Sequence, residues 1–568
     1  MTTIYIDPSA MTNGDGSLAS PRNTWTGVPT GAGNVYKQKR GTTWTGSFPS
    51  LTSGTSGNVT TITSYANADG SDNASLPLPI IDIGNTIMPG GVNSPKTFTK
   101  WSNVDIRCAR TTIASDTPIM WVGSDVEISD CVLSTNLTAL YGEKCSRVQI
   151  LRNTITCATA VTTTAAMDAI VLGGSLALDD NVIDGNTIYV GDGGKLGTHA
   201  IKVAAAVPIT SIQITNNTIR TVSGQPTPHA DKAGIFINNG AGASLFGPTS
   251  TVAASIIIAG NDVANLVDGV FLASVNGAWV HHNTLDHCGS FGLHITGNST
   301  LPSSGCLIEW NMCRWAGRNL SPFYGRGIEL SGAGQLDACT GHVVRFNDAS
   351  YAKNWGGPVD NATEGVGIGL DDATSCCQVY GNLIRGTEGN GIQFYGGSAA
   401  PSDTGGNMVI GNHIIDCGLG SYKNRRTSPV LLGMPAIGLS KTAGSRTVIA
   451  YNTIIGGTGG IRPDSLCSGV ELTGNVFKRQ TVYAIAAAST DGISGNCYDP
   501  ACPKQIGTLA TNASGSPAPA LLSAGVNGDK TADALVSESF VALVGSPLLD
   551  KAFRNGVPFA PLMLDLAT

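Results

Sequence analysis

The sequence predicts an all-β chain folded as a single-stranded parallel β-helix (solenoid) of about a dozen coils. Three observations predict it. A short apolar strand ending in Asn recurs along the middle of the chain, as in VQILRNTI, IQITNNTI, IIIAGNDV, VVRFNDA and VIAYNTI. A second strand of the form Gly/Ala-apolar-x-apolar follows each Asn, as in AIKV, GIFI, GLHI, GIEL, GIGL and GIQF. The composition suits tight turns: 73 of 568 residues are glycine, nearly twice the usual ~7 %, and only 13 % are charged.

The Asn positions run from Asn153 through Asn186, Asn217, Asn261, Asn283, Asn311, Asn347, Asn382, Asn412, Asn452 and Asn475 to Asn496. Their eleven steps average about 31 residues, a solenoid-like period. Strands of four or five residues alternating every second position read as β, and no segment of the repeat has a helical period. Variable spacing around a constant strand pair means that each coil keeps its strands and grows its connections. A propeller would need about four antiparallel strands per repeat. Asn tolerates the left-handed region, so it is expected at the bend, and stacked Asn amides can hydrogen-bond from coil to coil.

Residues 1–100 are turn-rich and are expected to form an N-terminal capping segment with the first coils. The parallel β-helix is expected over 101–502. Residues 503–568 begin with the flexible ASGSPAPA link, and ALVSESFVALVGSPLLDKAF is expected as a C-terminal cap or fold-back strand.

The formal net charge of −7, with no sustained basic patch, argues against a nucleic-acid partner. No apolar run approaches the ~18–20 residues of a membrane span, so no membrane insertion is expected. The opening MTTIYIDPSA has neither the basic nor the apolar region of a secretory signal. The 14 cysteines are therefore expected as free thiols. Cys157, Cys288 and Cys417 follow a ladder Asn at four or five residues, which suggests small buried side chains in stacked positions.

The N-terminal lines IYIDPSAMTNGDGSLASPRNTW, YKQKRGTTWTG and SGTSGNVTTITSY, the Asn-strand repeat, and GSPLLDKA near Gly545 together resemble right-handed parallel β-helix proteins of the pectate-lyase-like superfamily. That family includes polysaccharide lyases, glycoside hydrolases, epimerases and bacteriophage tailspike depolymerases. Low charge, high glycine and the absent signal are most similar to the tailspike group. The resemblance implies a homotrimer on a virion tail, synthesised in the host cytoplasm, with an extracellular location as the alternative. It also implies a bacterial polysaccharide as partner. No long particle-binding domain precedes the helix, which departs from that group.

Period-2 alternation places the candidate site. In GIEL, Ile328 and Leu330 point inward and Glu329 outward. The same rule gives an outward column of Lys202, Phe236, Phe271, His294, Glu329, Gly369, Gln393, Gly438 and Arg462. A second column holds Ala204, Asn238, Ala273, Thr296, Ser331, Asp371, Tyr395, Ser440 and Asp464. Ionisable residues concentrate between His294 and Tyr395. Glu329 and Asp371 fall on neighbouring rungs, with Cα atoms roughly 8 Å and carboxyl oxygens ~5 to ~10 Å apart. Glycosidase carboxyl pairs stand at ~5–5.5 Å when retaining and ~6.5–9.5 Å when inverting; the pair is compatible with either, and the inverting spacing is the one expected here. Gly369 would leave a hollow for a sugar ring.

The longest Asn-to-strand connections include those leading into Glu329 and Asp371. They carry Trp315, Arg318, Phe323, Tyr324 and Arg326, then Tyr351, Trp355, Asp360 and Glu364. Glu329 and Asp371 are thus the catalytic candidates. His294, Arg326, Tyr324, Trp355, Asp372, Gln393 and Tyr395 are the substrate-binding candidates. No metal site is expected from His281, His282, His287 and His294, since His281 and His282 should point to opposite faces of one strand. The expected function is hydrolysis of a bacterial capsule, exopolysaccharide or O-antigen by paired carboxylates, without a cofactor. The alternatives are a lyase acting by β-elimination on a uronate-containing glycan, with Ca²⁺ held by Asp371, Asp372 and Glu364, and a non-catalytic glycan-binding adhesin.

Overall fold

The computed structural model describes residues 1–84, 95–109, 118–136, 138–143, 145–158, 168–174, 178–191, 199–205, 209, 211–224, 233–238, 256–298, 301–317, 325–332, 338–353, 365–371, 374–395, 405–418, 435–439, 446–463, 467–481, 483–486, 492–498, 506–507 and 530–531. They form strands and turns, with no helix among them. The chain divides into two compact units, Met1–Ala273 and Ser274–Thr568.

Each unit is a right-handed parallel β-helix. In the first, nine strands from Thr3–Ile6 to Ile256–Ala259 pair in chain order, all parallel. Eight strands from Thr43–Thr45 to Asp262–Ala264 make a second sheet. Six from Met120–Val122 to Asp268–Ala273 make a third. Parallel neighbours need a crossover, and here the other two strands of each coil supply it. Pairing begins at Thr3–Ile6, so coils precede the Asn repeat.

In the second unit the first sheet runs over eight strands from Trp279–His281 to Ile493–Ser494. The third sheet also runs over eight, from Phe291–Thr296 to Ile506–Gly507. Apart from 506–507 and 530–531, the expected C-terminal cap or fold-back at 503–568 lies outside the described residues.

The core of each unit is a stack of inward aliphatic side chains in register. Ile128, Ile150, Ile183, Ile214 and Ile258 line up in the first unit, each fully buried. Val280, Ile308, Val344, Val379, Val409 and Ile449 do so in the second. β-Branched side chains suit this pleated surface, and each such burial contributes about 1.5–3 kcal/mol. Cys157, Cys288 and Cys417 are buried free thiols, as their stacked positions suggest. Burial pushes the Cys157 thiol up to about 12, which leaves it unreactive.

The Asn residues stack as a ladder within each unit. The Asn186 backbone N–H and Nδ2 both donate to Asn217 Oδ1, at 3.0 and 2.9 Å, and Nδ2 also donates to Ile150 O at 2.8 Å. The pattern repeats at Asn311, whose backbone N–H and Nδ2 reach Asn347 Oδ1 at 2.9 and 3.0 Å. The left-handed bend, however, is not at Asn. It falls on the residue before: Arg152, Gly185, Asn216 and Gly260 in the first unit, and His282, Trp310, Phe346, Gly381, Gly411, Tyr451, Gly474 and Gly495 in the second. The Asn amide must point inward to serve the ladder, so the outward residue ahead of it takes the positive φ. Bulky residues are disfavoured there. Trp310 and Phe346 offset that strain by packing on each other, with ring centroids 4.8 Å apart.

Candidate active site

The third sheet of the second unit carries the expected outward column. His294 pairs with Glu329, Glu329 with Gly369, and Gly369 with Gln393. Beside it, Ser331 pairs with Asp371 and Asp371 with Tyr395. Ile328, Leu330, Ile368 and Leu370, between these positions, are buried in the core. Alternation therefore holds from residue 328 onward.

It slips just before. A Cβ on Gly327 would lie 3.0 Å from Ala349 Cβ, and one on Gly367 would lie 2.4 Å from Ile384 Cγ2, both core side chains. Positions 327 and 328 thus face inward in succession. The slip turns Arg326 outward, onto the same wall as Glu329. Arg326 was expected in the connection before the strand. It is instead the first residue of the strand Arg326–Ser331 and is 1 % exposed.

The guanidinium joins the two acids. Arg326 Nη1 donates to Glu329 Oε2 at 2.6 Å and lies 2.5 Å from Asp371 Oδ2. Oxygens that touch one nitrogen are no more than about 5 Å apart, short of the inverting spacing and at or below the retaining one. The expected inverting spacing is corrected accordingly. One guanidinium thus bridges two acids on a nearly dry wall. Such clusters hold together only with close geometry, because desolvation costs several kcal/mol per ion.

Gly369 does not leave a hollow. A Cβ there would lie 2.1 Å from Glu329 Oε2 and 2.7 Å from Arg326 Nη1, so the ion cluster already fills that space. His294 precedes Glu329 in the column, with the Phe291 ring 4.4 Å from its own. Burial, with a smaller push from Arg326, lowers its pKa to about 3, so the ring is neutral at ordinary pH. Gln393 is buried, and its Oε1 has no hydrogen-bond partner among the described residues. Tyr395 is half-buried beside Asp371. Tyr324, Trp355 and Asp372 lie outside the described residues, as do Arg318, Phe323, Asp360, Glu364, Ser440 and Asp464.

His281 and His282 do not point apart. The positive φ of His282 breaks the alternation, and the two Nδ1 atoms stand 2.9 Å from one another. Among the described residues no three His, Cys, Asp or Glu side chains converge as metal ligands.

The sequence reading missed a third outward column, made of the residue just ahead of each Gly/Ala strand start. It holds Arg326 in the second unit and Asp168 and His199 in the first. Asp168 Oδ1 accepts the His199 backbone N–H at 2.7 Å, and Asp168 Oδ2 lies 3.3 Å from Lys202 Nζ. His199 Nδ1 accepts from Ala233 N–H at 3.1 Å, and its ring stacks on Phe236 at 4.6 Å. Burial and Lys202 hold its pKa down at about 3. The available signal was a polar residue directly before the small residue, in DAIVL, HAIKV and RGIEL.

No protein-family model and no curated protein matches the chain. Among solved structures it is similar to the A-module of an Azotobacter vinelandii mannuronan C-5 epimerase, at 11 % identity over 82 % of this chain and 91 % of that one, with a TM-score of 0.32. It is also similar to a tailspike protein of E. coli bacteriophage HK620 in complex with a pentasaccharide, at 11 % identity over 78 % and 72 %, with a TM-score of 0.42. A lacto-N-biosidase from Eubacterium ramulus gives 11 % identity over 83 % and 65 %, with a TM-score of 0.29. At these TM-scores the likeness says nothing of the reaction, and the architecture rests on the strand registers.

Proposed function

We propose that the chain is a glycan-acting β-helix protein, and more specifically a depolymerase that hydrolyses a bacterial surface polysaccharide. One observation carries this reading: Glu329 and Asp371, distant in sequence, meet at one guanidinium on an outward wall. With these oxygens no more than about 5 Å apart, nearer the retaining than the inverting spacing, a retaining course is favoured. One group attacks the anomeric carbon as a carboxylate while the other, entering as the protonated carboxylic acid, gives its proton to the leaving oxygen and becomes a carboxylate. That second group then takes a proton from the water that releases the sugar. Arg326 holds the two groups in register, a positioning role in place of the substrate-binding one its sequence position suggested.

The lyase alternative needs a cation to neutralise a uronate carboxylate. Arg326 is already engaged by Glu329 and Asp371, so it is not available to neutralise a uronate carboxylate. Hydrolysis therefore stands ahead of β-elimination. Homotrimer assembly and a place on a virion tail belong to the same proposal; light scattering of the purified chain tests the former.

The test is a panel of capsular, exopolysaccharide and O-antigen preparations with mass analysis of the products. Hydrolysis adds one water per cleavage, whereas elimination gives an unsaturated uronate that absorbs in the ultraviolet. Glu329→Gln and Asp371→Asn should each lower the rate by about 10³-fold or more while glycan binding persists. Full activity in both variants would overturn the assignment. Binding without any product would favour the adhesin.

A further inference from the structure

Gly369 stands on the wall between Glu329 and Gln393, in register with both. Its φ is not in the left-handed region, so the backbone there would accept any residue. Added volume, however, would displace its neighbours. A Cβ would meet Glu329 Oε2 at 2.1 Å, Arg326 Nη1 at 2.7 Å and Arg326 Cδ at 3.0 Å. Real Cβ contacts do not fall below 3.0 Å, and two of these three atoms belong to the ion cluster's own hydrogen bond. We propose that Gly369 is a positioning residue: its missing side chain is the seat into which the Glu329 carboxylate and the Arg326 guanidinium settle, within reach of Asp371.

This rests on the reading of Glu329 and Asp371 as the reacting pair, and it adds a steric requirement to it. The side chains on either side of the notch are long. Glu329 comes from the preceding rung and Arg326 from three residues before Glu329. Both reach the notch only by lying flat against the strand that carries Gly369. A single methyl group would lift the carboxylate away from Asp371. Displacements of about 1 Å in a reacting group cost on the order of 100-fold in rate.

The decisive variant is Gly369→Ala. Its kcat should fall about 100-fold with KM within about threefold, because the wall that receives the polymer is unchanged. Combined with Glu329→Asp, the losses should not multiply, since the shorter acid withdraws from the added methyl. A crystal structure of Gly369→Ala should show Glu329 Oε2 beyond hydrogen-bond reach of Arg326 Nη1. Should Gly369→Ala fail to fold, adding Glu329→Ala removes the closest contact and releases Arg326 Nη1 from Glu329 so that it can turn aside, and should restore a folded chain. Full activity in Gly369→Ala, multiplying losses, a retained Glu329–Arg326 contact, or a double alanine variant that still fails to fold would each overturn the proposal. The outcomes separate it from the reaction itself. A dead Glu329→Gln with an active Gly369→Ala removes the seat alone. An active Glu329→Gln removes the reaction, and the crystal structure still decides the seat.

Discussion

The third sheets of the two units use equivalent outward positions for different ends. In the first unit, Asp168 faces Lys202, whose side chain is 29 % exposed, and the neutral His199 caps the cluster against Phe236. In the second, two buried carboxylates share one buried guanidinium. One cluster is half-wet; the other is nearly dry. The backbone frame is the same, so the difference lies in which residues occupy it. A wall that merely needs solubility has no use for a buried arginine held between two acids.

The comparison breaks most sharply by removing each cation in turn. Arg326→Met takes the bridging cation from two buried carboxylates, and should cost about 3–5 kcal/mol. Lys202→Met leaves Asp168 its bond from the His199 backbone N–H and removes a cation that is itself partly exposed and 3.3 Å away, so it should cost less, about 1 kcal/mol. Unfolding midpoints in urea read both. Equal losses would mean that the first-unit cluster is as tightly held as the second.

Removing a ladder amide comes next in size. Asn347→Ala strips the Asn311 backbone N–H and the Ile308 carbonyl of their partners at once. Unsatisfied buried groups of this kind cost about 1–3 kcal/mol each, so a total near 3 kcal/mol is expected, with activity unchanged where the chain stays folded.

The buried His199 and the half-buried His294 predict a shared acid weakness of the two walls. His199 and His294 each sit at about 3, well below the ordinary 6.5. Below about pH 6.5 the unfolded chain binds a proton that the folded chain refuses, so stability falls as pH falls through the window from about 6.5 to about 3. At pH 5 each should contribute about 2 kcal/mol of loss relative to pH 8. His199→Gln and His294→Gln should each flatten the slope of melting temperature against pH. An unaltered slope in either would show that its ring is wetter than the packing implies.

How much of this could be read from residues follows from where the two-residue period holds. The pairing of His294, Glu329, Gly369 and Gln393 was legible because GLHI, GIEL, GIGL and GIQF keep strict alternation from their second residue. Arg326 was not, because positions 327 and 328 both face inward, a slip that only the packing of Gly327 on Ala349 explains. The same slip hid Asp168 and His199. Gly369 was read as empty because alternation gives direction and not reach; long neighbours filled the gap. The bend was assigned to Asn by its tolerance of positive φ, yet the amide's inward hydrogen bonds claimed that residue for the ladder.

The smallest expected effect sits at that bend, and it separates the units again. Arg152 takes φ 53° ahead of Asn153, and its side chain pairs at the surface with Asp130. Exposed pairs of this sort contribute little, while a non-glycine residue in the left-handed region costs roughly 1 kcal/mol. Arg152→Gly should therefore be neutral to slightly stabilising. Trp310, at φ 56° ahead of Asn311, also carries a ring packed on Phe346. Trp310→Gly relieves the same strain but loses an aromatic contact of about 0.5–1.5 kcal/mol and part of the ring's burial, so it should destabilise. The sign of the difference between the two glycine variants, read as a shift in urea midpoint, states whether the aromatic residues of the second unit are held at their bends by stacking. If both substitutions stabilise equally, the stack contributes nothing and the bend alone sets the cost.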